Sequence, residues 1–153
     1  MIRYHVGGRW AAPSVGSEPY AVFWNTSTTK QLYVQRLVVE NDHATIAANM
    51  AIQRVSTRGT AGSTVTPDID NDAERAVAPG SGVLLELADY TVLPTFQGPR
   101  MTRPIISPRG GSLEWRFSDR RGRGGLAVPQ STGLLIEAAS GLATGTLTVE
   151  WLE

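Results

Sequence analysis

Apolar and polar residues alternate with period two along much of the chain. In SLEWRFS, Leu113, Trp115 and Phe117 fall on one side, and Glu114, Arg116 and Ser118 on the other. GTLTVEWLE repeats the arrangement, with Leu147, Val149 and Trp151 against Thr146, Thr148 and Glu150. TIAANMAIQRV sets Ile46, Ala48, Met50 and Ile52 against smaller or polar neighbours, and GVLLELADY and GLLIEAAS are further runs of this kind. Such alternation predicts half-buried strands of antiparallel sheets. QLYVQRLVVEN is more continuously apolar and predicts a central strand. Eight or nine strands are predicted, at about 20–25, 31–40, 45–55, 83–92, 104–107, 112–118, 126–129, 133–139 and 144–152. Glu86, Glu114, Glu137 and Glu150 alternate with apolar residues, which predicts that all four lie on solvated outer faces.

Helical signals are poor. The 16 Gly and 9 Pro interrupt nearly every window long enough for a helix. One short helical turn is predicted at 71–76, where NDAERA opens with residues that cap helices. The pattern predicts an all-β chain, an antiparallel β-sandwich or jelly-roll-like single domain over residues 20–153. Residues 1–19, with scattered Gly and Pro and isolated Tyr4 and Trp10, read as an irregular N-terminal arm. Either the arm anchors its aromatics on another subunit, or it tucks against its own domain. Residues 56–82 form a long excursion, rich in Thr, Asp and small residues, with no apolar periodicity of its own.

Composition narrows the classes. With 153 residues the chain is the size of one domain and can bury a sizeable core. It has no cysteine, so neither a disulfide framework nor a thiolate metal site enters. Formal net charge is zero, which argues against a nucleic-acid binder. No apolar run approaches a membrane span, and the start lacks the layout of a secretory signal. The expectation is a soluble chain made in the cytoplasm, without a nucleic-acid or membrane partner. Lys30 is the only lysine; every other basic side chain except the two histidines is arginine, which suits interfaces but also follows from genomic base composition.

Candidate chemistry is thin. PGSGV, at Pro79 to Val83, lacks the spacing of a nucleophile elbow and reads as a turn before a strand. His5 and His43, the only histidines, are too few and too scattered for a jelly-roll metal site. Asp68, Asp70 and Asp72 have the alternate spacing that opens a calcium loop, but the sixth and twelfth positions hold Ala73 and Pro79 instead of Gly and Glu. A solvated turn is favoured there, with a looser cation site as the alternative. Phosphate loops and dinucleotide fingerprints are missing, so neither a catalytic residue, a cofactor nor a metal ligand is assigned, and an enzyme is not expected. SDRRGRGG places Arg120, Arg121 and Arg123 between two strands, as an exposed hairpin loop or a contact for an acidic protein partner.

IQRVSTRGTAGSTVTPDIDNDAERAVAP resembles a pattern in structural proteins of tailed bacteriophages, where a hydrophobic-Arg pair ends a strand and Gly-Thr-x-Gly-x-Thr-x-Thr-Pro follows. The matching residues are Arg54, Gly59, Thr60, Gly62, Ser63, Thr64, Thr66, Pro67, Asp70 and Ala76, with Ser63 where Thr is expected. GLLIEAASG, TGTLTVEWLE and AVFWNTSTTKQLYVQRLVV are similar to the same layout. The resemblance implies a virion structural protein: a β-sandwich in a homo-oligomer, trimeric by preference, attached to the major capsid protein or other virion proteins, with no enzymatic residues. A capsid decoration protein is the expected function, and the virion its location. Expected partner-facing residues are Tyr4, Trp10, Arg58, Thr60, Thr64, Thr66, Asp68, Asp70, Arg120, Arg121 and Arg123. The alternative is a carbohydrate-binding β-sandwich, viral or lectin-like, that stacks sugar on exposed Trp10, Trp24 or Tyr90.

Overall fold

A computed structural model describes residues 3–10, 19–65, 82–118, 124–140 and 144–152. It contains eleven strands and, among the described residues, no helix. They are β1 (Arg3–Trp10), β2 (Pro19–Asn25), β3 (Leu32–Asn41), β4 (Ala48–Thr57), β5 (Thr60–Val65), β6 (Val83–Val92), β7 (Thr95–Ile106), β8 (Gly111–Arg116), β9 (Leu126–Val128), β10 (Gly133–Ser140) and β11 (Gly145–Leu152). All pairings are antiparallel. One sheet has the order β1-β11-β3-β8, with β9 also on β3; the other has the order β5-β6-β2-β10-β4-β7.

The two sheets contribute to one core. Tyr4, Leu32, Val34, Leu37, Trp115, Leu147, Val149 and Trp151 come from the first, and Phe23, Met50, Ile52, Leu85, Leu134 and Ile136 from the second. β11 shows why the period-two pattern works: Leu147, Val149 and Trp151 are buried while Thr146, Thr148 and Glu150 are only partly so. Trp151 lies between the Tyr4 ring, stacked at 5.6 Å, and the Phe23 ring at 5.4 Å. Each such large apolar side chain stabilises the fold by roughly 1.5–3 kcal/mol on burial.

β3 explains its own unbroken apolar run. Its register with β11 shifts between Glu150, opposite Arg36, and Trp151, opposite Val34. Gln35 is therefore the extra residue of a bulge, which lets both Val34 and Leu37 point into the core. The bulge also divides the far edge of β3: residues 36–41 pair with β8 and residues 32–34 with β9. The bulged Gln35 is buried, and its amide donates to the Gly124 carbonyl. Two buried asparagines fix the loops after β2 and β3. Asn25 Nδ2 donates to the carbonyls of Lys30, Val128 and Pro129, and Asn41 Nδ2 to those of Ile46 and Ile106.

The strands depart from the sequence expectations at residues 3–10, at 60–65 and at 95–103, where β7 begins well before the predicted 104–107. Residues 3–10 do not form an arm: they are an edge strand, paired with β11 along their whole length. Tyr4 and Val6 alternate inward, and Gly7 and Gly8 do not interrupt the ladder because β11 supplies the pairing groups. The excursion predicted over 56–82 is strand through Val65; residues 66–81, with the predicted helical turn at 71–76, lie outside the described residues.

Candidate interaction surface

β4 and β5 run antiparallel to β7 and β6 as one long ribbon, with a corner at Arg58–Gly59 and Leu93–Pro94. Gly59 has a φ of +75°, and a Cβ there would sit 2.4 Å from the Val92 carbonyl oxygen. Only glycine lets the two chains pass so closely. Beyond Leu87, β6 leaves β2 and continues paired with β5 alone. Tyr90, on this departing segment, packs against Val22, Trp24, Val55 and Leu135. Those four side chains point away from the main core, so the ribbon covers part of the outer face of the second sheet and seals a small second core there.

Two carboxylates are enclosed with it. Glu86 and Glu137 sit at outward positions, as their alternation predicts, but each is only 3% exposed. The expectation of a solvated face is therefore wrong for this pair. Glu86 Oε1 lies 3.1 Å from Arg58 Nε, and Glu137 Oε1 lies 2.6 Å from Arg100 Nη2. Desolvation pushes both carboxyls above their ordinary value, and the paired arginine pulls each partly back. Glu86 Oε2 has no hydrogen-bond partner among the described residues. Tyr90 Oη donates to the Glu86 carbonyl, at 3.2 Å. The outer face of the first sheet matches expectation: Glu114 and Glu150 flank Arg36 at 2.9 and 2.8 Å and stay partly exposed. There the Arg36 guanidinium, by hydrogen bonding, holds Glu114 below the usual carboxylate range.

At the ribbon corner the surface is apolar. Val92, Leu93 and Phe96 are 58%, 47% and 45% exposed, gathered within five residues around the buried Pro94. Sequence alternation missed this patch because Leu93 lies in the corner, outside any strand.

The expected partner-facing residues separate. Tyr4 is a core residue stacked on Trp151, so it cannot anchor another subunit; the β1–β11 pairing turns it inward. Trp10 ends β1, opposite Gly145. Arg58 is engaged with Glu86 at the corner, Thr60 is exposed opposite Val92, and Thr64 lies opposite Glu86 in the β5–β6 register. Arg58 and Thr60 are thus brought together beside the apolar patch. Thr66, Asp68, Asp70, Arg120, Arg121 and Arg123, with Asp72, lie outside the described residues. Trp24 and Tyr90, candidates for sugar stacking, are buried. His43 is a loop residue whose Nδ1 accepts from the backbone N–H of Thr45 and Ile46. Among the described residues, no three His, Asp or Glu side chains converge as a metal site would need. Comparison with family models, curated proteins and solved structures gives no match.

Proposed function

We propose that the chain is a structural component of a bacteriophage virion, a capsid decoration protein that works through protein–protein contacts. The observation that carries this is the apolar corner at Val92, Leu93 and Phe96, held on a ribbon that doubles back over its own sheet. An exposed apolar cluster edged by polar residues such as Arg58 and Thr60 is the surface a protein partner covers. The same ribbon carries the stretch from Arg54 through Thr64 that resembles tailed-phage structural proteins.

We read the fold as a single jelly-roll domain. Its pairings are nested, β1 with β11, β2 with β10, β3 with β8 and β9, β4 with β7, and β5 with β6, as in a long hairpin rolled into two sheets. Viral capsid and lectin domains both use this roll, so the fold supports the proposal without deciding it. Burial of Trp24 and Tyr90 supports assembly over sugar stacking on those two rings. The test is light scattering of the purified chain over a range of concentrations. A stable oligomer, a trimer by preference, that Leu93→Ser with Phe96→Ser breaks to the 16.5 kDa chain supports self-assembly through the corner. A strict monomer at every concentration overturns it.

A further inference from the structure

We propose that a cleft at one end of the space between the sheets binds a small sugar acid, with Arg54 receiving its carboxylate. The cleft measures about 330 Å³ and is lined by Arg54, Gln97, Gly98, Ala127, Pro129 and Thr132. That is the small end of the range for ligand clefts, about 300–1,000 Å³, and suits a ligand on the scale of one monosaccharide.

Arg54 is what makes this more than a surface dent. It lies on β4 between Leu134 of β10 and Gln97 of β7, at the rim of the main core, and is partly buried. One of its donors, Nη1, goes to the Ala127 carbonyl of the opposite sheet. No carboxylate lies within ion-pair distance of it among the described residues. Arg9, Arg58, Arg100 and Arg116 each have one, and Arg36 has two. Held by one backbone carbonyl and facing no carboxylate among the described residues, Arg54 brings an unneutralised positive charge to the wall of the cleft. Its remaining N–H groups form a planar fork that matches a carboxylate.

The other walls suit a hydroxylated ligand. Gln97 brings an amide at the exposed mouth. Thr132 Oγ1 donates to the Pro129 carbonyl at 2.9 Å and keeps lone pairs to accept from a hydroxyl. Ala127 and Pro129 give an apolar surface for the ring. This assignment is independent of the assembly proposal, since the cleft does not include the apolar corner.

The test is a titration of the ¹⁵N-labelled chain, followed by amide shifts, with D-glucuronate, D-glucose and acetate as separate probes. Saturable glucuronate shifts confined to Gly98, Ala127 and the Gln97 amide, absent with glucose and weaker with acetate, are the expected result. Arg54→Met is expected to weaken glucuronate about tenfold or more, the value of a charge-assisted pair, and Arg54→Lys by less. Should Arg54→Met fail to fold, the wild-type chain still gives an answer: glucuronate affinity must fall as salt is raised. Equal shifts with glucose and glucuronate, acetate binding as tight as glucuronate, no saturation, or salt-independent binding each overturn the proposal.

Discussion

Replacing Arg100 with Gln strips the counter-charge from a carboxylate that water barely reaches. Glu137 has a side chain 4% exposed, whereas that of Arg100 is 46% exposed. Breaking a buried pair from one side typically costs about 3–5 kcal/mol, because the other charge is left uncompensated. The half-solvated position of Arg100 puts this case at the lower end, about 3 kcal/mol at neutral pH. For a chain of this size that is a fall in Tm of roughly 6–12 °C. Glu137→Gln removes the buried charge instead and leaves Arg100 in contact with water. Its cost is expected to stay within about 1 kcal/mol, and the double substitution should match it. The sign with pH follows from burial. Desolvation raises the folded-state carboxyl above its ordinary value of 4.5, and Arg100 lowers it partway back. The folded chain therefore holds this proton more tightly than the unfolded chain does. The associated stability is complete below the ordinary value and is lost as pH rises through the raised one. Without Arg100 the rise is larger, so the Arg100→Gln deficit should be greatest at neutral pH and shrink on acidification. Urea unfolding of the four proteins at neutral pH and at about pH 5 measures both effects. Equal losses for the two single substitutions, or a deficit that ignores pH, would refute the enclosed-carboxylate account.

Tyr4→Ala should cost about 3–5 kcal/mol by removing the ring stacked on Trp151, with the urea m-value unchanged; a loss under about 1 kcal/mol would mean that β1 is not part of the core. Gly59→Ala should lower Tm by an amount equivalent to about 2 kcal/mol or more, since the new methyl meets backbone at Val92 and Pro94 and neither can move aside. On the first sheet, Arg36→Met should cost about 1 kcal/mol or less, and less still in high salt. Hydrogen bonding lowers Glu114 in the folded state, so its contribution is present above the ordinary carboxylate range and is lost as pH falls through the lowered value. NMR titration of the Glu114 carboxyl in wild type and Arg36→Met should show that value move up in the variant.

The strands legible in the sequence are of two kinds: those with one wet face, and the apolar runs of β2, β6 and β10, covered on both faces, whose ends fall within one residue of expectation. β8 and β11 carry strict alternation, and their ends fall within two residues of expectation. β1 escaped because Gly7 and Gly8 weaken a strand taken in isolation, and only the long-range ladder to β11 restores it. β5 escaped for a similar reason: its small residues carry no periodicity, and its pairing with β6 supplies the order. The buried carboxylates had a readable signal. AVFW, VLLEL and GLLIEA are apolar on both faces, which is the mark of strands covered on both sides. A glutamate within such a run belongs to an enclosed face, and the alternation of Glu86 and Glu137 alone concealed that. Arg54 was legible as the end of a strand motif, but the cleft beside it needs β7 and β9 brought together, which only the tertiary fold provides.

The virion proposal is tested most directly by peptide mass spectrometry on density-banded particles from the lysed culture that produces the chain, with copy number scaled to the major capsid protein. The proposal predicts peptides of this chain in the intact particle at many copies, removed together with the decoration layer. Its absence from banded particles, while it is abundant in the infected-cell lysate, would contradict a virion role.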